Sequence, residues 1–394
     1  MSPPILLLAA LLSLVPSPST AVTLDSILSA NALTAASFNF TSPDQTLNSA
    51  DANDYIVKNW DLNSKRVDWG NSDIVFSPDP STSSSTLVRR ASSSTSHQRT
   101  SSGSATTSYS TSFPSSTNLA GQPPVLRVEY PQGSYSKRTG GTQFYADPLS
   151  TTAGSVDRSA AGNATSDGGF ERMLLSYDIW FPSGFAWNMG GKLPGLRGGP
   201  DSRGCSGGNE TNGTGCFSTR LMWRSGGAGE VYAYVPTSQR NFCSESGVTC
   251  NSDYGTSLAR GSFSFATGQW QTIYMMVILN EVGRANGVVQ LWYNGVQALS
   301  FQNLVIRTSS SLSSIGGLYF STFFGGDDAT WATPTDQFTY YRNIQLYAGV
   351  GASNLSGAAV SAGERGVVVG SAWGVVVGAA LGLIAMGMGL SLGM

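Results

Sequence analysis

Between positions 124 and 347, apolar residues occur in short runs that Gly, Pro and Asn interrupt, without the 3.6-residue period of a long helix. Short runs of this kind, bounded by turn residues, are typical of β-strands. The sequence Trp-Tyr-Asn-Gly at 292–295 predicts a hairpin turn before Val296. The predicted strands are 73–76, 125–128, 172–181, 218–224, 230–235, 261–265, 269–279, 288–293, 317–323 and 337–347. Many short, evenly spaced strands predict an all-β fold, a jelly-roll β-sandwich.

A Ser/Thr-rich segment at 81–119 divides this strand-rich chain. It has few apolar residues and no periodicity, which predicts a disordered and O-glycosylated stretch. Because strand-like runs precede and follow it, we favour a long insertion between two early strands, and a linker between two domains is the alternative. Residues 22–80 would then supply the first strands of a domain whose main part is 120–350.

Both ends of the chain carry targeting patterns. Residues 1–21 combine an apolar run with a small-residue site at Ala21, which predicts a secretory signal peptide. Residues 367–394 are apolar, no Lys or Arg follows them, and a spacer at 351–366 precedes them. This order predicts a glycolipid-anchor signal with Ser356 as the leading attachment residue, and a retained terminal helix is the alternative. We therefore expect a secreted protein held at the outer face of the plasma membrane or in the cell wall.

The cysteines and sequons agree with secretion. The chain has four cysteines, Cys205, Cys216, Cys243 and Cys250, which allow three disulfide pairings. Pairing neighbours in sequence would close two loops, whereas the Cys-x10-Cys and Cys-x6-Cys spacings suit zinc poorly. Asn-x-Ser/Thr sequons predict glycosylation at Asn39, Asn163, Asn209, Asn212 and Asn354.

Charge and histidine content exclude several classes of function. A net charge of −2 does not provide the basic face that nucleic-acid binding needs. The single histidine, His97, lies in the Ser/Thr-rich segment, which argues against a Ser-His-Asp or Cys-His hydrolase and against a histidine-ligated metal. We expect a monomer without metal or cofactor.

Polar side chains alternate on two neighbouring predicted strands. Alternate residues of a strand share a face, so Ser218, Arg220 and Arg224 point one way, and Tyr232 and Tyr234 point together on the next strand. If the strands pair as a hairpin, a hydroxyl, guanidinium groups and two phenols line one wall. Lys192, after a Gly-rich approach, could complete this group. Such a wall suits an acidic sugar polymer.

These motifs resemble polysaccharide lyase family 14, the alginate and glucuronan lyases. The resemblance is carried by GGKLPGL at 190–196, STRLMWR at 218–224 and EVYAYVP at 230–236. VLRVEYPQGS at 125–134 and SYDIWFP at 176–182 also fit, so the resemblance extends from about residue 60 to residue 347. The segment 205–216 and the Ser/Thr-rich stretch depart from the family pattern. The resemblance implies a jelly roll that cleaves a β-1,4-linked polyuronate by β-elimination.

In such a reaction a base removes the C5 proton, the C4 oxygen leaves, and the uronate carboxylate must be neutralised. Lys192 and Arg220 are suited to neutralise the carboxylate, and Ser218 to donate a hydrogen bond to the substrate. Tyr232 or Tyr234 is the candidate acid and base, since a cationic neighbour lowers the pKa of a phenol. Lys192 is the alternative base if it is desolvated. Polymer contacts are expected from Gln143, Tyr145, Lys137, Arg138 and Arg224, the last also as an ion-pair partner of Glu230.

Two other functions remain open at this point. A non-catalytic, surface-anchored carbohydrate-binding jelly roll could use the same wall. A jelly-roll glycoside hydrolase is the weaker reading, because it needs two suitably spaced carboxylates and no Glu-x-Asp-x-x-Glu run occurs.

Overall fold

The computed structural model describes residues 21–82, 122–136, 139–149, 169–201 and 204–360. Within these residues two antiparallel sheets enclose one large apolar core, which confirms the predicted all-β jelly-roll sandwich. We call the seven-stranded sheet the site sheet and the eight-stranded sheet the back sheet.

The site sheet has the strand order β4-β15-β6-β7-β8-β10-β9. Its strands are β4 (Thr142–Ala146), β6 (Gly190–Gly198), β7 (Phe217–Arg224), β8 (Gly229–Tyr234), β9 (Val248–Thr249), β10 (Thr256–Leu258) and β15 (Ile315–Phe324). Each neighbouring pair is antiparallel.

The back sheet has the order β14-β13-β11-β5-β16-β3-β2, with β1 also paired to β16. Its strands are β1 (Ala36–Asn39), β2 (Ile74–Ser77), β3 (Val125–Tyr130), β5 (Arg172–Trp180), β11 (Trp270–Ile278), β13 (Gly287–Tyr293), β14 (Val296–Leu304) and β16 (Gln337–Gly349). A two-stranded ribbon joins β12 (Arg284–Ala285) to β17 (Ala358–Ala359).

The predicted hairpin turn is confirmed between β13 and β14. Asn294 and Gly295 form the two-residue connection and have φ values of 50° and 77°. Positive φ at both central positions is what a type I′ hairpin turn requires, and Asn-Gly is the pair that accepts it most readily.

One predicted strand is wrong, and several strands of the two sheets were not predicted, β6 among them. Residues 261–265 make only an isolated bridge, from Ser264 to Ala228. Conversely, GGKLPGLRG forms β6 in the middle of the site sheet, although Pro lacks the N–H that a central strand donates. A register shift between Leu193 and Gly195 accommodates Pro194, whose carbonyl accepts a hydrogen bond from the Tyr177 hydroxyl.

Among the described residues two short α-helices, one before and one after β1, were not predicted. These are α1 (Leu24–Ala30), with Thr23 as its N-cap, and α2 (Ser49–Asn59), with Asn48 as its N-cap. In each case the cap side chain accepts a hydrogen bond from a backbone N–H of the first turn. None of the helices in the described residues is long and apolar enough to cross a membrane.

The strands on either side of the Ser/Thr-rich segment pair with each other. Ser77 is the register partner of Val125, so β2 and β3 belong to one sheet. Most of the segment, 83–121, lies outside the described residues, as do the signal-peptide residues 1–20 and the anchor signal 367–394.

The cysteines pair with their neighbours in sequence. Cys205 bonds Cys216, and Cys243 bonds Cys250. Asn39, Asn209, Asn212 and Asn354 are exposed, as glycan acceptors must be, and Ser356 is exposed. Asn163 lies outside the described residues. Glycosylation and the lipid anchor stay predictions.

Candidate active site

The outer face of the site sheet carries a cleft of about 560 Å³. Strands β4, β6, β7, β8, β10 and β15 supply its floor, and the loops that follow β3, β6, β9, β10 and β15, together with the end of β9, supply its rim. The floor residues are Gln143, Lys192, Arg220, Met222, Arg224, Tyr232, Tyr234, Ser257, Tyr319 and Phe323. The rim residues are Ser136, Ser206, Gly207, Thr249, Asn251, Tyr254, Gly255, Arg260, Gly326, Asp327 and Trp331.

Strand register brings the predicted residues together. Arg220 on β7 lies opposite Tyr232 on β8, and Lys192 on β6 lies opposite Met222 on β7. Residues directly opposite on an antiparallel pair have Cβ atoms about 5 Å apart. Lys192, Arg220 and Tyr232 therefore form one group at the centre of the cleft.

Lys192 is an amine with little access to water, since its side chain is only 8% exposed. Its Nζ donates to Met222 Sδ at 3.1 Å and lies 4.0 Å from the centre of the Tyr232 ring. Burial, and then the positive charges of Arg220 and Arg224, hold the pKa of Lys192 well below its ordinary value. A lysine in this state gives up its proton more readily than an exposed lysine does, which suits a base.

Arg220 lies over the Tyr319 ring, with its guanidinium carbon 4.4 Å from the ring centre. Its Nη1 donates to Ser321 Oγ at 3.3 Å, and Ser321 in turn donates to Gln143 Oε1 at 3.0 Å. Its Nε is buried and has no hydrogen-bond partner. Arg220 is thus a fixed cation with unused donors beside the cleft.

The two phenols of β8 are buried and each accepts a backbone hydrogen bond. Gly255 N donates to Tyr232 Oη at 2.9 Å, and Gly208 N donates to Tyr234 Oη at 3.0 Å. Burial, and then Tyr234, raise the pKa of Tyr232, although Arg220 acts in the opposite direction. The cation therefore lowers this pKa as expected, but burial outweighs it and the net shift is upward. Tyr232 remains protonated and suits an acid.

Glu230 anchors the cations at one end of the cleft. Arg224 donates to its Oε1 through two nitrogens at 2.9 and 2.6 Å, as expected for this pair. Arg260 Nε and Ser257 Oγ donate to its Oε2 at 2.6 and 2.7 Å. Burial opposes ionisation of Glu230, but the bonds and charge of Arg224, followed by Ser257 and Arg260, lower its pKa. Glu230 is a paired structural carboxylate.

Other predicted site residues lie in different places. Gln143 lines the cleft, whereas Tyr145 lies behind it against Tyr319, with ring centres 4.5 Å apart. Ser218 is fully buried, is not among the cleft-lining residues, and donates to the Cys205 carbonyl at 2.7 Å. The predicted substrate hydrogen bond from Ser218 therefore needs correction, because the loop that begins at Cys205 covers it. Lys137 and Arg138 lie outside the described residues.

Sequence reasoning missed several rim residues. Tyr254 Oη donates to Asp327 Oδ2 at 3.0 Å, so two loops distant in sequence meet at the cleft. Arg260 reaches Glu230 from the loop after β10, and Trp331 lies 6.0 Å from the Arg224 guanidinium. Loop residues have no strand periodicity, so no pattern in the chain indicates that they converge. Among the described residues, no group of three or more His, Cys, Asp or Glu side chains could hold a metal ion.

Comparison with known proteins agrees with these features. The family model of polysaccharide lyase 14 matches residues 118–344, more than half of the chain. Exolysin of Paramecium bursaria Chlorella virus 1 is 31% identical over 193 residues, which are 44% of this chain and 29% of Exolysin. The match thus spans less than a third of that relative's length.

Two solved structures are also similar. A marine PL-14 alginate lyase from Aplysia kurodai is 37% identical, with 58% of this chain and 85% of that chain covered and a TM-score of 0.49. An alginate lyase from a Chlorella virus is 21% identical, with 59% and 87% covered and a TM-score of 0.46. The family match over residues 118–344 confirms the resemblance seen in the central motifs, and the chain belongs to polysaccharide lyase family 14 and is a polysaccharide lyase.

Proposed function

We propose that this enzyme cleaves a β-1,4-linked polyuronate, of the alginate or glucuronan type, by β-elimination. The observation that carries the proposal is the buried Lys192, with its lowered pKa, beside the guanidinium of Arg220 in one cleft. β-Elimination needs both a base and a cation for the carboxylate, and this pair supplies them in one place.

Arg220 is the group that neutralises the uronate carboxylate. When the C5 proton leaves, negative charge spreads onto the carboxylate as an enolate. A preorganised cation at that position stabilises the transition state more than the ground state. Arg220 is held by the Tyr319 ring and Ser321, and its side chain lines the cleft where the carboxylate would bind. Gln143, joined to Arg220 through Ser321, adds a further polar contact at the same end.

Lys192 is the base that takes the C5 proton. Because burial, Arg220 and Arg224 lower its pKa, its neutral form is available without a strongly alkaline solution. The proton moves from C5 to Nζ, the electron pair forms the C4–C5 double bond, and the C4–O bond breaks. The sequence left both the tyrosines and Lys192 as candidates for the base, and we assign the base to Lys192.

Tyr232 is the acid that protonates the departing C4 oxygen. Its oxygen accepts from Gly255 N, its hydroxyl also interacts with that of Tyr234, and its side chain lines the cleft where the leaving oxygen would lie. A raised pKa keeps that proton in place until the leaving oxygen develops charge. The Lys192 amine and the Tyr232 ring are in contact, so the base and the acid are close enough to act on the same sugar.

The product of the reaction tests this proposal. Elimination leaves an unsaturated uronate at the new non-reducing end, which absorbs in the ultraviolet, whereas hydrolysis does not. Alginate, glucuronan and a neutral β-1,4-glucan are offered to the wild-type enzyme and to Lys192→Ala and Arg220→Ala. We expect absorbance to rise with a polyuronate only, and to fall about a hundredfold or more in each variant. Chain shortening without ultraviolet absorbance would refute elimination.

We also propose that the enzyme is secreted and retained outside the cell by a glycolipid anchor. The support is the order of patterns at the two ends of the chain, residues 1–21 and 351–394. Truncation after Gly366 should release active enzyme into the medium. Protein that stays on membranes after a phospholipase specific for glycolipid anchors, with its tail intact by mass spectrometry, would show a membrane helix instead.

A further inference from the structure

The loop closed by Cys205 and Cys216 forms part of the cleft wall. It joins β6 to β7, and its residues Ser206 and Gly207 line the cleft beside the two tyrosines of β8. The loop is thus close enough to the centre of the site to influence the chemistry there.

One hydrogen bond connects this loop to a phenol. Gly208 N donates to Tyr234 Oη at 3.0 Å. Gly208 has a φ of +88°, a backbone conformation that residues with a side chain rarely adopt. Because the phenol oxygen accepts this bond, the Tyr234 O–H points away from Gly208, towards the cleft that Tyr234 lines or the neighbouring Tyr232 hydroxyl.

Two further contacts fix the loop to the sheet. The disulfide belongs to a buried cluster with Met222, Tyr232 and Tyr234, and both of its cysteines are almost completely buried. Ser218, directly opposite Tyr234 in the strand register, donates to the Cys205 carbonyl at 2.7 Å. The start of the loop is therefore tied to β7, while its middle holds the phenol on β8.

We infer that the loop Cys205–Cys216 is a positioning element that holds the Tyr234 hydroxyl as a donor to the bound polymer. Ser218 acts through the same loop, as a positioning residue without substrate contact. This inference rests on the proposed elimination at Lys192, Arg220 and Tyr232, and it adds Tyr234 and its loop to that site. Small displacements of a reacting or orienting group cost turnover steeply, so loosening the loop should lower kcat more than it raises KM.

The test is a double-mutant cycle on turnover of the polyuronate that wild-type enzyme cleaves. One change replaces both cysteines, Cys205→Ala with Cys216→Ala, and the other is Tyr234→Phe. Each alone should lower kcat by about tenfold or more with KM within about threefold. Together they should lower kcat no further than Tyr234→Phe does, because both remove the same oriented hydroxyl.

Two additional variants control for folding. Ser218→Ala keeps the disulfide and removes only the hydroxyl that ties Cys205, so it should give a smaller loss of kcat that also vanishes in the Tyr234→Phe background. Cys243→Ala with Cys250→Ala removes a disulfide outside the buried cluster that contains Tyr234. Any effect of that pair should add to the effect of Tyr234→Phe.

The outcomes separate this inference from the proposed function. Additive losses for the Cys205 and Cys216 variant would overturn the positioning role, since the loop would then act by general stability. A Tyr234→Phe enzyme with normal turnover would overturn it too, while Lys192→Ala inactivity would leave elimination intact. If Lys192→Ala retained wild-type rates, the proposed chemistry itself would fail.

Discussion

Removal of the Tyr232 hydroxyl tests the role of this residue as the acid separately from the packing role of its ring. In Tyr232→Phe the ring remains, so its contact with Lys192 Nζ at 4.0 Å is kept. The oxygen is lost, and with it the proton donor for the leaving group and the acceptor for Gly255 N at 2.9 Å. The variant therefore tests proton donation and stability in one molecule.

The expected magnitudes follow from these two losses. Loss of a general acid lowers turnover by about a hundredfold to ten-thousandfold. An unpaired buried N–H at Gly255 costs about 1–3 kcal/mol of unfolding free energy. For a domain of this size each kcal/mol lowers Tm by about 2–4 °C. Substrate affinity should change by less than about tenfold, roughly 1.4 kcal/mol, because the ring and the cations remain.

Tyr177→Phe is the matched control. Tyr177 is fully buried in the core, and its hydroxyl donates to the Pro194 carbonyl at 3.3 Å without reaching the cleft. It should lose a similar amount of stability and keep its turnover. Initial rates at saturating polyuronate, followed by ultraviolet absorbance, and thermal unfolding are measured for both variants. Equal turnover in Tyr232→Phe and Tyr177→Phe would refute Tyr232 as the acid.

Three more predictions concern ionisation. Arg224→Gln removes a positive charge that lowers the pKa of Lys192, so the acid limb of the pH profile of kcat/KM should move to higher pH. Arg260→Gln should move this limb less. A limb that does not move in Arg224→Gln would exclude Lys192 as the base. Lys192→Met should raise Tm at pH 7, because the depressed pKa means that Lys192 binds its proton less tightly in the folded enzyme than in the unfolded chain, and the gain should vanish above about pH 10.5. Burial, and then Asp61, raise the pKa of Asp147 to about 7, so its contribution to stability is lost as pH rises towards that value. Asp147→Asn should therefore match wild type in Tm at pH 4 and exceed it at pH 8, and equal Tm values at pH 8 would contradict this.

The floor of the cleft was predictable from the sequence because it lies on strands. Alternation alone places Arg220 and Tyr232 on shared faces, and register then joins them. The same rule placed Ser218 on that face but could not show that a loop covers it. Strand β6 was hidden by Pro194, since proline argues against a central strand unless a register shift is known.

The state of each ionisable group could not be predicted in the same way. Lys192 and Tyr232 have altered pKa values because of how deeply the sandwich buries them and which charges surround them. Burial depends on packing between distant segments, which a one-dimensional pattern does not contain. The rim illustrates this too, because Tyr254 and Asp327 meet from loops 73 positions apart.

Because β2 pairs with β3, the 83–121 segment between them is a site where the length or content of the chain can be altered. The chain leaves the back sheet after Ser77 and returns at Val125, and these two residues are register partners on the outermost pair of strands. The departure point is held by Asp79, which binds Arg342 at 2.7 Å and accepts from Trp270 Nε1 at 3.0 Å. Because the ends are already fixed close together, doubling or halving the length between them changes the closure entropy by only about 0.6 kcal/mol. Evolution or an engineer can therefore lengthen, shorten or replace this segment, or graft a second module there, with the catalytic face on the opposite sheet left undisturbed.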